Sequence, residues 1–189
     1  MNHRYLQKFQ IKDVVFLAIM SAVALATCAV MPLVISLQAL IFGISQLVTA
    51  LQIGVFFAIG LYKVRKPGSL LIMALMMGLI QLMMSPPMFL SSVLNGVLIE
   101  LIVLLLFRGY EKDSAVFVAA MLHTPLSLPF NYLYNRLIKG ADSPLAAVAD
   151  RAPLAAVGMT LAVIAVSALG ALIGTKIARE LKKSGVLKK

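Results

Sequence analysis

His123, Ser127, Asn131 and Asn135 recur every four residues, with Thr124 and Tyr134 beside them, inside an otherwise apolar run. Four-residue steps stay near one face of an α-helix, so these groups form a polar stripe. Polar side chains are costly in hydrocarbon, so such a stripe either bonds neighbouring helices or lines a site for a polar solute. Pro125 and Pro129 lie in the same stretch. They free backbone carbonyls and bend a helix, as happens where a cavity forms. Gln81, Ser91, Ser92 and Asn95 fall at the same expected depth, and Gln46 and Gln52 could join from an earlier run. Together they describe a pocket that is polar but nearly uncharged, suited to recognition by hydrogen bonds.

Catalytic patterns are missing from the same runs. No HExxH, no Ser/His/Asp grouping and no carboxylate pair at helical spacing occurs there. The stretch from Gly170 to Lys176 is one residue short of phosphate-loop spacing, and Gly170 and Gly174 read as a small-xxx-small helix contact. Glu100 stands apart. A carboxylate at a helix centre costs about 2.5–3.5 kcal/mol on insertion scales, so it is expected to pair or protonate. A buried hydrogen bond within the bundle is the expectation, with His123 as the candidate partner.

The elements that must position these groups follow from composition. Of 189 residues, 61% are hydrophobic and 13% charged, and the mean hydropathy is +0.99. A soluble domain of this size cannot hide that much apolar surface, whereas a bilayer accepts it. Apolar runs predict six transmembrane helices at about 14–33, 46–62, 68–85, 88–107, 115–138 and 153–175. The whole chain, 1–189, reads as one all-α integral membrane domain, multi-pass in the cell membrane. Fourteen of the 17 basic residues fall on one side of that topology, and only Arg136, Lys139 and Arg151 on the other. The positive-inside rule then puts both termini in the cytoplasm. The net charge of +10 is therefore topological; nucleic acid is not expected as a partner, because the clusters are short and alternate with spans. The basic tail from Lys176 is expected to meet anionic lipid headgroups.

Cys28, the single cysteine, excludes an internal disulfide and any cysteine-based metal site, and no cofactor is expected. The first run imitates a secretory signal, with Leu25-Ala26-Thr27-Cys28 resembling a lipoprotein box, but is expected to stay as a helix. The outer connection near 32–45 is apolar and is expected to fold onto the bundle. Residues 139–153 form the longest polar stretch, either a lid or an ordinary connection.

Ala18, Ala22 and Ala26 make a narrow strip on the first helix. Six helices, this strip, about 190 residues and an outward polar pocket resemble the S components of energy-coupling factor (ECF) transporters, the substrate-capturing subunits of a class of vitamin importers. Residues 63–110 carry the resemblance best: Arg65-Lys66-Pro67-Gly68, the Ser85-Pro86-Pro87 turn, and Asn95-Gly96-x-x-x-Glu100. These are similar to the YkoE-like branch, assigned to thiamin or its hydroxymethylpyrimidine precursor. That branch carries a carboxylate where Gln81 stands and another near the start of the second helix, and this chain has neither. The resemblance implies binding of a vitamin-like solute through Gln46, Gln52, Gln81, Asn95, His123, Ser127, Asn131, Tyr134 and Asn135, with the 32–45 loop as lid. It also implies docking through Ala18, Ala22 and Ala26 on a membrane-embedded coupling subunit, toppling within the bilayer, and energy from two ATPase subunits. The strip could instead pack within its own chain. Other classes stay open: a standalone secondary transporter, a small channel, or a membrane-embedded enzyme using Glu100 with His123.

Overall fold

Glycine and proline set most helix boundaries. The computed structural model describes residues 8–28, 34, 36–140 and 143–187. Among them seven α-helices follow in order: α1 (Ile11–Thr27), α2 (Ile44–Val64), α3 (Ser69–Leu82), α4 (Pro86–Phe107), α5 (Asp113–Leu137), α6 (Pro144–Arg151) and α7 (Pro153–Lys183). A 3₁₀ turn occupies Ser36–Ala39. Gly43 and Gly68 precede α2 and α3 in the left-handed conformation that a residue without Cβ takes at least cost. Proline opens α4, α6 and α7, where a missing N–H is not needed.

Helix α1 lies between α2 and α3, α4 between α3 and α5, and α7 against α2 and α5. The α2–α7 contact is close because glycine makes it so. A Cβ on Gly170 would stand 2.5 Å from the Leu51 carbonyl oxygen, and one on Gly174 2.5 Å from that of Val55. The expected small-xxx-small contact is thus made within the chain. Gly96 brings α4 equally near α3, since a Cβ there would lie 2.6 Å from Ala74 Cβ. Phe57, Leu61, Leu70, Met73, Ile99 and Val103 fill the core.

Apolar side chains cover the outside of the bundle as well as filling its core. Leu105 and Leu154 are 82% and 86% exposed, while Ser21 is wholly buried and Asn95 only 2% exposed. Bonds from the polar residues staple helices together: Ser21 Oγ donates to the Met73 carbonyl at 3.1 Å, and Ser92 Oγ to that of Ala74 at 2.9 Å.

The helices differ from the expected spans in three places. Helices α2, α4, α5 and α7 are long and apolar enough to cross a membrane alone. Helix α3 has 14 residues, or about 21 Å of rise against a hydrocarbon core of about 30 Å. The stretch 139–153 contains α6, whose Ser143 side chain accepts from the Ala146 N–H. Helix α7 runs on to Lys183 rather than ending at 175, because Lys, Arg and Glu favour helix and end a span without ending the helix. Residues 29–33 and 35, within the expected first span and lid loop, lie outside the described residues, as do Arg4, Lys188 and Lys189.

Candidate substrate pocket

At the end of the bundle remote from the basic clusters, α1 to α5 leave a cavity of about 140 Å³. Helix α5 supplies its polar wall through His123, Thr124, Ser127 and Asn131. This wall sits on the turns that carry Pro125 and Pro129. Pro125 cannot donate to the Met121 carbonyl one turn back, and Ser167 Oγ of α7 takes that acceptor at 2.7 Å. On the other flank the Asn95 amide of α4 lies against the opened backbone. With its nitrogen toward the Leu126 carbonyl at 3.3 Å and its oxygen toward the Ser127 N–H at 3.2 Å, both ends of the amide are satisfied. Asn95 therefore lines the cavity and also ties α4 to the backbone of α5.

His123 stacks on Phe57, with ring centroids 4.4 Å apart. Its Nδ1 and the neighbouring Thr124 Oγ1 are buried without a hydrogen-bond partner among the described residues. Ser127 Oγ donates to the Thr124 carbonyl at 2.7 Å, leaving the lone pairs of its own oxygen to accept. Helix α2 contributes Ser45, Gln46 and Thr49, with Ser45 Oγ donating to Gln46 Oε1 at 2.8 Å. Gln81 and Met77 enter from α3, Ser91 and Ser92 from α4. Among the described residues, no Asp, Glu, Lys or Arg lines the cavity.

Of the residues expected at the site, Gln46, Gln81, Asn95, His123, Ser127 and Asn131 are brought together, whereas Gln52, Tyr134 and Asn135 are not. Each four-residue step turns about 40° past a full helical repeat, so the fourth member of the α5 stripe has drifted about 120° from the first. Asn135 accordingly bonds back to its own helix at the Asn131 carbonyl, 2.8 Å. Tyr134 lies beneath the Lys139 ammonium instead, 5.8 Å from its ring centroid. Ser45, Thr49 and Cys28 were not expected in the wall. Ser45 and Thr49, four apart beside Gln46, carried a signal, whereas nothing in the local sequence marks Cys28.

Glu100 makes buried hydrogen bonds within the bundle, as expected, but His123 is not among its partners. Its Oε1 accepts from the Gly68 N–H at 2.6 Å and its Oε2 from the Tyr110 hydroxyl at 2.9 Å. The carboxylate thus caps the N-terminus of α3, where orphan N–H groups and the helix dipole favour negative charge. On α1, Leu17, Ser21 and Ala24 face the bundle, while Ala22 and Ala26 are exposed and Ala18 half-buried. The strip's outer members are therefore left exposed among the described residues.

Three comparisons bear on this arrangement. A solved structure described as a crystal structure of an S component of an ECF transporter matches with a TM-score of 0.64 at 22% identity, covering 95% of this chain and 89% of that one. The two share a fold. No curated protein matches the chain. The model of the Trep_Strep family, hypothetical bacterial integral membrane proteins, matches residues 11–183. A multi-pass, all-helical chain whose matched region takes in all seven helices, it belongs to the Trep_Strep family of bacterial integral membrane proteins.

Proposed function

We propose that this protein is a substrate-capturing S component of an ECF-type importer. In this reading α1 to α5 and α7 cross the bilayer with both termini in the cytoplasm, and the cavity opens outward. It binds a small, uncharged solute and delivers it through a coupling subunit and two ATPases. The observation that carries the reading is the uncharged polar lining of the cavity, one wall of which is built by His123, Thr124, Ser127 and Asn131. The fold shared with an S component supports the same reading.

The wall chemistry supports a choice between the two ligands the resemblance implies. Thiamin is a cation and would gain from a carboxylate in a low-dielectric pocket. This wall offers none, and a cavity of about 140 Å³ suits the smaller, neutral hydroxymethylpyrimidine. An enzyme built on Glu100 and His123 is disfavoured, since the Glu100 oxygens are committed to Gly68 and Tyr110.

The test is to purify the chain in detergent, identify co-purifying solutes by mass spectrometry, and titrate hydroxymethylpyrimidine and thiamin by calorimetry. Tight binding of a neutral heterocycle is the expected result. Uptake by protein-only liposomes without ATPase subunits would overturn the reading in favour of a standalone carrier.

A further inference from the structure

The opposite end of the bundle holds a second and larger cavity, of about 820 Å³, between α1, the end of α2 and the tail of α7. That volume falls within the range of about 300–1,000 Å³ typical of ligand sites. Five cations border it: Lys12, Lys63, Arg65, Lys66 and Lys182. Two are already spent. Lys66 pairs with Asp13 at 2.6 Å, and Arg65 is bound to Asp113 and to the Glu111 carbonyl. Lys12, Lys63 and Lys182 make no ion pair among the described residues.

Aromatic faces hold two of these ammonium groups in place. Lys63 Nζ stands 4.7 Å from the Phe16 ring centroid, and Lys182 Nζ 5.8 Å from that of Tyr62. Val15 and Ile19, each 50% exposed on α1, continue the wall as an apolar strip. Cations on aromatic supports beside an apolar track match a molecule with an anionic head and a hydrocarbon tail. Basic pockets between membrane helices take such headgroups.

We propose that this cavity is a binding site for one anionic phospholipid, its phosphate held by Lys12, Lys63 and Lys182 and its acyl chains lying along Val15 and Ile19. The site does not depend on the identity of the transported solute. The probes are dioleoyl phosphatidylglycerol, dioleoyl phosphatidylcholine and inorganic phosphate, added to the full detergent-purified chain and read by native mass spectrometry. Phosphatidylglycerol should be retained in preference to phosphatidylcholine as a single adduct.

Replacing all three residues (Lys12→Gln, Lys63→Gln, Lys182→Gln) should weaken that adduct by about fivefold per lysine, on the order of a hundredfold together. The matched set Lys112→Gln, Lys176→Gln, Lys183→Gln, at the same end but outside the cavity, should change it less than twofold. Lys12→Gln alone, at an exposed position, gives the fivefold reading should the triple variant be unstable. Equal losses in the two triple variants would reduce the effect to diffuse surface charge and overturn the site. So would retention of inorganic phosphate in place of lipid. Absence of discrimination between the two lipids would likewise overturn it, leaving the cavity to an acidic protein segment.

Discussion

His123 Nδ1 and Thr124 Oγ1 have been withdrawn from water without a protein partner, at a cost of about 1–3 kcal/mol for each such group. A solute with a donor and an acceptor at matching spacing recovers part of that cost. His123→Phe preserves the stack on Phe57 but removes Nδ1, and Thr124→Val removes Oγ1 at nearly constant volume. Each should raise the dissociation constant of the bound solute by roughly three- to tenfold, the worth of about 0.5–1.5 kcal/mol, with thermal stability unchanged or slightly higher. Calorimetry and a melting curve on each variant check both halves. The α5 stripe was legible in the sequence as far as Asn131, because four-residue spacing holds a face for about two steps. Asn135 and Tyr134 were misplaced by the same geometry. Gln52 differs, for its buried oxygen lies outside the cavity wall and has no hydrogen-bond partner.

Among the elements, α3 is the one most dependent on others. It is the shortest of the six helices that build the bundle, and its start is held by a glutamate from α4 rather than by a local cap. Glu100→Leu strands the Gly68 N–H and the Tyr110 hydroxyl, each at about 1–3 kcal/mol, and should lower the melting temperature sharply. Tyr110→Phe removes one bond at a cost of about 1 kcal/mol. Solute affinity should survive Tyr110→Phe, since Tyr110 lies outside the cavity.

Helix α1 begins on a second such tie. Burial pushes the Asp13 carboxyl up, but the Lys66 ammonium at 2.6 Å and the Gln10 N–H at 3.1 Å outweigh it and hold the group below the usual aspartate range. A lowered folded-state value means the tie adds stability above the unfolded-state value and loses it as pH falls through the folded one. Acidification should therefore loosen α1 in the native chain, and Asp13→Asn should abolish that dependence, as amide exchange across α1 would measure. Helix existence was readable from hydropathy, but these ties join residues 32 and 53 positions apart and leave no local pattern.

For the molecule as a whole, the exposed face of α1 is the surface on which the proposed assembly turns. Ala22 is exposed on that face. Ala22→Trp should leave folding and solute binding intact while blocking co-purification of the coupling subunit, because close packing rather than hydrophobicity drives association in lipid. Loss of solute binding in that variant would instead place the strip inside the fold. The overall plan was legible because the bilayer imposes a coarse rule on composition and basic residues mark one side. The paired close contacts of α2 and α7 were half legible, as two glycines without their partners Leu51 and Val55. Cys28, the one thiol among 189 residues, stands in the wall of the cavity proposed to take the solute. The native chain thus carries its own chemical reporter. Alkylation of that sulfhydryl by a small maleimide should slow when the cavity is filled, so candidate solutes can be ranked by protection kinetics on unaltered protein.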